Sequence, residues 1–140
     1  MRLLLALLVC SVLAFPVPAL AQTPTAQEKQ ALDAATAWLA LIDAGRFAES
    51  WREAAPLFRQ AMTEQNWSKT LAAFRAPLGA VQSRVAQSAQ PATQLPGVPD
   101  GHYLVMTFAT DFAQKKQAVE TVTFQQQTDG TWRAAGYYIR

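Results

Sequence analysis

The chain has 140 residues, 51% hydrophobic and 16% charged, with 12 basic against 10 acidic side chains and a formal charge of +2. That near-neutral balance excludes the basic footprint of a nucleic-acid binder or of a protein held on an anionic membrane surface. A single cysteine, Cys10, and a single histidine, His102, exclude a disulfide framework and a zinc site built from several such ligands.

Met1-Arg2 precedes the apolar run Leu3–Phe15, followed by Pro16 and Pro18, and Ala19-Leu20-Ala21 fits the small-x-small cleavage rule. Residues 1–21 therefore read as a signal peptide. The run is shorter than the ~20 apolar residues a membrane-spanning helix needs, so an integral membrane protein is not expected. Cys10 lies inside the apolar run and follows Val9, which argues against a lipoprotein. Cleavage would leave residues 22–140 as a single domain without cysteine, periplasmic or secreted, with Gln22–Pro24 as a frayed end.

Thr25 with Glu28 forms a capping box, and Leu32, Ala35, Leu39 and Ile42 recur at helical spacing with Trp38 beside them. This predicts a helix over 26–44, ended by Gly45, with Lys29, Asp33 and Asp43 away from the apolar stripe. A short second helix is predicted over 47–55, with Phe47, Trp51 and Ala54 inward. Pro56 resets the chain for further turns over 56–62, where Leu57 and Phe58 face in. Thr63 caps the next helix, with Trp67, Leu71 and Phe74 inward and Pro77 and Gly79 as its stop.

Val81–Gln90 reads as a first strand, with Val81, Ser83 and Val85 on one face and Gln82, Arg84 and Ala86 on the other. Pro91–Gly101 is a predicted loop. Tyr103–Phe112 is the central strand: Leu104, Met106, Phe108 and Phe112 make an apolar face, and Val105, Thr107, Ala109 and Asp111 a mixed one. After a polar hairpin loop, Ala113–Lys116, comes Ala118–Gln127, with Glu120, Val122 and Phe124 on one face. Asp129-Gly130 predicts a type I′ hairpin into Thr131–Ile139. A two-residue turn would set Gln126 opposite Arg133, Val122 opposite Tyr137 and Glu120 opposite Ile139; a bulged loop would shift this register. Helices first and strands after define an α+β fold, N-terminal helices packed on a curved antiparallel sheet of about four strands.

Several motifs carry a resemblance. The run Ala37–Trp51, then Arg75–Gly79, Arg84, Leu95–Gly97, Pro99–Tyr103, Glu120 and Trp132–Tyr138 resemble a bacterial secreted family known as domain of unknown function 4019. The likeness spans nearly the whole chain after residue 21 and implies no activity. The element order and the Asp129–Arg133 hairpin are more distantly similar to the nuclear transport factor 2-like superfamily, or to a cystatin-like cone. That likeness implies a pocket and dimerisation through the sheet, in a group holding isomerases, dehydratases and non-catalytic modules.

Glu120 is the sharpest catalytic candidate, since an apolar pocket would raise a carboxyl pKa toward general acid–base work. Asp111 and His102 are weaker partners for it. The competing expectation is a Glu120 carboxylate paired with arginine at the sheet edge. Arg84, Arg133, Tyr103 and Tyr137 are candidates for holding a ligand. For Arg75, Arg84 and Arg133, pairing with Glu49, Glu53 or Glu120 is the favoured reading over anion binding. The four tryptophans suit core packing before ring stacking. No phosphate loop, dinucleotide fingerprint, nucleophile elbow or metal-ligand spacing occurs, so neither cofactor nor metal is expected.

The expected function is a non-catalytic envelope protein binding a small ligand or a protein, using the mixed face of Val105, Thr107, Ala109, Val122 and Tyr137. Glu120→Gln is then expected to leave the fold intact and abolish no turnover. The rivals are a cofactor-independent hydrolase, isomerase or dehydratase working through Glu120, and a structural homodimer joined through the sheet.

Overall fold

The computed structural model describes residues 23–140. The signal-peptide reading, with its cleavage after Ala21 and its placing of Cys10, lies outside those residues. Four helices come first: α1 (Ala26–Asp43), α2 (Phe47–Arg52), α3 (Pro56–Ala61) and α4 (Glu64–Arg75), with a 3-10 turn at Ala76–Leu78. Four strands follow: β1 (Val81–Ala92), β2 (Tyr103–Phe112), β3 (Ala118–Gln126) and β4 (Trp132–Ile139). They form one antiparallel sheet in the order β1-β2-β3-β4, a plain meander. The α+β fold is the one the residue pattern predicts. No helix among the described residues is long and apolar enough to cross a membrane.

Helix boundaries follow local chemistry. The Thr25 hydroxyl accepts from Glu28 N, and Glu28 Oε2 accepts from Thr25 N at 2.7 Å, completing the capping box. At the other end Arg46 N donates to Leu41 O and Gly45 N to Ile42 O, with Gly45 at φ 73°. This Schellman pairing needs a residue that tolerates the left-handed region. In α3 and α4 the inward positions differ in one place from expectation. Phe74 is 49% exposed, and its neighbour Arg75 is the buried residue.

The helices cover a single face of the sheet. Trp38, Leu39, Ile42, Phe58, Trp67 and Leu71 pack there against Leu104, Met106, Val122 and Phe124. A smaller cluster of Phe112, Ala118 and Ile139, with Val81 and Leu78 against it, closes the far end. Three polar bonds tie the helices together. Trp38 Nε1 donates to Ser50 O, Trp67 Nε1 to Ser50 Oγ, and Trp51 Nε1 to Met62 O. Ala55 N donates to Ala134 O at 2.8 Å, which docks the start of α3 on the edge of β4.

Bulges account for where the strands depart from simple alternation. A register shift at Gln82 puts Val81 opposite Phe112 in the interior, whereas Ser83 and Val85 face outward; the expected common face of these three is broken there. β1 also continues through Pro91 and Ala92, positions read from sequence as loop. Proline is tolerated because β1 is an edge strand, and its outer side asks for no donor. At the last hairpin the turn has three residues, with Gln127 N donating to Thr131 O and Gly130 at φ 84°. Gln126 therefore faces Trp132, not Arg133. The shift is undone where Thr123 pairs with Gly136 and Phe124 with Ala134, leaving Ala135 as the extra residue. Beyond it Val122 faces Tyr137 and Glu120 faces Ile139, the register predicted for the shorter turn. Val122 pairs with Met106 on the helix-covered face, and Tyr137 pairs with Val122, so the predicted grouping of both with Val105, Thr107 and Ala109 is corrected.

Candidate functional site

Glu120 stands between the two core clusters, with no exposed surface. Its neighbours across the sheet are Phe108 and Ile139, both apolar. An unpaired carboxylate there would be very costly, so the chain surrounds it with donors. Arg84 Nε donates to Oε2 at 2.6 Å and Nη2 to Oε1 at 3.2 Å, the forked geometry a guanidinium offers a carboxylate. Thr110 Oγ1 and Tyr137 OH each donate at 2.6 Å, to Oε2 and Oε1 respectively. Arg75 Nη1 adds a longer contact at 3.5 Å. Both arginines also bind Asp43 near the end of α1: Arg84 Nη1 at 2.6 Å and Arg75 Nη2 at 2.8 Å. Two cations and two anions balance. The Arg75 guanidinium further lies 4.5 Å from the centroid of Phe112.

All four strands and two of the four helices each send one residue here: Asp43 of α1, Arg75 of α4, Arg84 of β1, Thr110 of β2, Glu120 of β3 and Tyr137 of β4. Sequence reading supplied Glu120 with Arg75 and Arg84 as possible partners, and missed Asp43 and Thr110. Asp43 lies off the apolar stripe of α1, yet its side chain is only 26% exposed and turns to the arginines. Its signal was its place in the last turn of α1, where the helix end meets the sheet.

The cluster also shapes ionisation. Burial disfavours the charge on Arg84, yet the hydrogen bonds to Asp43 and Glu120 outweigh that and lift its pKa above the ordinary arginine value. Burial, reinforced by the negative charge of Glu120, raises the Tyr137 phenol well above its ordinary value of 10.0. In the unfolded chain Tyr137 ionises first. Its contribution to stability is then complete below pH ~10 and is lost as pH rises beyond it. The stability gap between wild type and Tyr137→Phe is expected to narrow by about 1.4 kcal/mol per pH unit above pH ~10 in urea unfolding. A gap independent of pH would refute the assignment.

The other catalytic candidates stand apart from Glu120. Asp111 lies on the outer face of the sheet, paired with Ser83, and its Oδ1 accepts from Gln117 N at 2.8 Å. His102 is exposed just before β2 begins. Arg133 is a half-buried residue of β4, and its Nη1 donates to Glu53 O at 3.4 Å. Among the described residues no group of three or more His, Cys, Asp or Glu gathers where it could hold a metal ion.

His102 and Tyr103 do meet other candidate chemistry, at the opposite end of the helix layer. A cavity of about 380 Å³ opens between the first turn of α1 and the sheet, lined by Glu28, Pro91, His102, Tyr103, Leu104 and Trp132 among others. Tyr103 is fixed there, donating its hydroxyl to Pro99 O at 2.7 Å. Trp132 Nε1 is buried without a hydrogen-bond partner among the described residues. An orphaned indole N–H is a costly feature in a folded chain.

Comparison with known proteins adds a family and little more. No curated protein matches the chain. A 2.5 Å structure from Catenulispora Acidiphila is 14% identical, covering 80% of this chain and 88% of its own, with a TM-score of 0.49. The family model described as protein of unknown function (DUF4019) matches residues 34–137, which takes in Asp43, both cluster arginines, Glu120, Tyr137 and the β-strand wall of the cavity. The chain belongs to the DUF4019 family of proteins of unknown function.

Proposed function

We propose that this protein is a non-catalytic, exported binding module, periplasmic or secreted, and that a small ligand enters the cavity beside the first turn of α1. The observation carrying this reading is the separation of that cavity from the buried carboxylate. Glu120 already accepts five hydrogen bonds, so neither oxygen is free to take a substrate proton. The cavity holds the aromatic and polar groups usual in a ligand pocket, and its volume lies within the ~300–1,000 Å³ such pockets occupy.

A second reading, a homodimer through the outer sheet face, is favoured by a different observation. That face has no helix over it, and Val85 and Tyr138 stand 58% and 55% exposed upon it. The test is an amide-resolved NMR screen of small metabolites on the purified protein, with its mass read by light scattering in the same sample. Hits that move the amides of Ala92, Thr93, His102 and Leu104 support ligand binding at the cavity. A dimer abolished by Val85→Lys, with no hit in the screen, would sink ligand binding in favour of the second reading.

A further inference from the structure

At the C-terminal end of α1 another cavity, of about 480 Å³, opens between the ends of α1 and α4, and both Asp43 and Arg75 line it. The pair is joined at 2.8 Å, with the Arg75 side chain 7% exposed and that of Asp43 26%. Neither group is saturated. A guanidinium has five N–H donors, and Arg75 uses two, one on Asp43 and a long one on Glu120. Its Nε makes no bond among the described residues and is not sealed from solvent. On Asp43, Oδ2 accepts a single bond, from Arg84 Nη1, and a carboxylate oxygen can accept two. A cationic donor therefore stands beside an anionic acceptor. Around them Phe47, Ala72, Ala76 and Ala80 form walls that are apolar and mostly small. The last carbonyls of α1 add negative potential on the Asp43 side.

A simple anion in this cavity would be repelled by Asp43, and a simple cation by Arg75 with Arg84 behind it. A molecule carrying both charges, on either side of one carbon atom, meets neither penalty. We infer that the cavity binds a free α-amino acid with an apolar side chain, its carboxylate on the uncommitted N–H groups of Arg75 and its ammonium on Asp43 Oδ2. The ligand side chain then lies along Phe47 and the alanines of α4. This site is independent of the cavity beside the first turn of α1, since the two lie at opposite ends of that helix.

The experiment titrates three compounds of one shape into the isotope-labelled protein: L-leucine, 4-methylpentanoate, which lacks the ammonium, and 3-methylbutylamine, which lacks the carboxylate. The amides of Gly45, Phe47, Ala72, Ala76 and Ala80 report on the site. Leucine is expected to move them and to bind about tenfold more tightly than either analogue. Ala72→Phe should abolish these shifts, because its ring would project from an exposed turn of α4 into the cavity with the fold kept. Circular dichroism would verify the helices. Undiminished leucine binding by a folded Ala72→Phe would overturn the placement. An analogue that matches leucine in the wild type would overturn the zwitterion, whether or not the variant folds. No shift of these amides by any of the three, at up to about 10 mM against the ~1 mM dissociation constant expected of so small a ligand, would overturn the site. Shifts confined to Ala92, Thr93, His102 and Leu104 would do the same while supporting the cavity beside the first turn of α1.

Discussion

Glu120→Ala is expected to lower the unfolding free energy by about 3–5 kcal/mol, because truncating one partner of a buried ion pair strands the other. Arg75, with a side chain 7% exposed, and Arg84, at 15%, would keep only Asp43 as a counter-ion. Thr110 and Tyr137 would lose the acceptor each now reaches at 2.6 Å. Against a total of about 5–15 kcal/mol for a domain of ordinary stability, that loss is a large share. Glu120→Gln is a sharper probe. Either orientation of its amide sets an NH₂ against an arginine N–H, since Arg84 addresses both oxygens. Threonine and tyrosine hydroxyls can turn to accept, but a guanidinium has no acceptor. The glutamine variant should therefore keep the fold and still lose about 2–3 kcal/mol, the desolvation cost of an unsatisfied charged donor. Urea unfolding of both variants provides the measurement. Losses under about 1 kcal/mol, the range of an exposed pair, would show that the cluster does not carry the weight its burial suggests.

How much of this was legible beforehand depends on the range of the interaction. The α1 cap, its glycine stop and the alternation along β2 are set within a few residues, and the predicted elements match them closely. Bulges are set by pairing partners distant in the chain. Gln82 and Ala135 look like any other strand residue, yet each turns the side chains beyond it to the opposite face. The Asp129-Gly130 dipeptide correctly marked a hairpin, but it serves a two-residue and a three-residue loop alike. Asp129 Oδ1 accepting from both Thr131 N and Thr131 Oγ1 fits the longer one. Asp43 was hidden for a similar reason. Nothing local distinguishes an acidic residue on a helix's solvent side from one that the helix end carries to two arginines 32 and 41 positions later. The cavity was the least legible feature, since its walls come from both ends of the described chain. His102 and Tyr103 were visible only as weak candidates, and Glu28 only as a cap.

Trp67→Ala is expected to be at least as damaging, at about 3–5 kcal/mol, the range for emptying a buried aromatic site. Trp67 is 4% exposed and is the centre of an aromatic set. Its ring lies 4.9 Å from Phe58 in edge contact, 6.1 Å from Trp38 in a stack and 6.4 Å from Tyr137. Each such pair contributes about 0.5–1.5 kcal/mol beyond area burial. The indole N–H reaches Ser50 Oγ at 2.9 Å, and that hydroxyl in turn donates to Phe47 O. Removing the ring thus empties a space that α4 shares with α1, α2, α3 and β4. Trp67→Phe separates the two parts of the effect. It keeps most of the packing and loses the hydrogen bond, so its cost should be less than half that of alanine. Thermal unfolding and the near-ultraviolet circular dichroism of the tryptophans would both register the change. Equal losses for alanine and phenylalanine would mean that the Ser50 bond, and not the packed ring, holds α2 against α4. The Trp67 ring touches Tyr137, and Tyr137 holds Glu120, so a double variant with Glu120→Gln should depart from additivity by more than about 0.5 kcal/mol. Strict additivity would place the aromatic layer and the charged cluster in energetically separate parts of the fold.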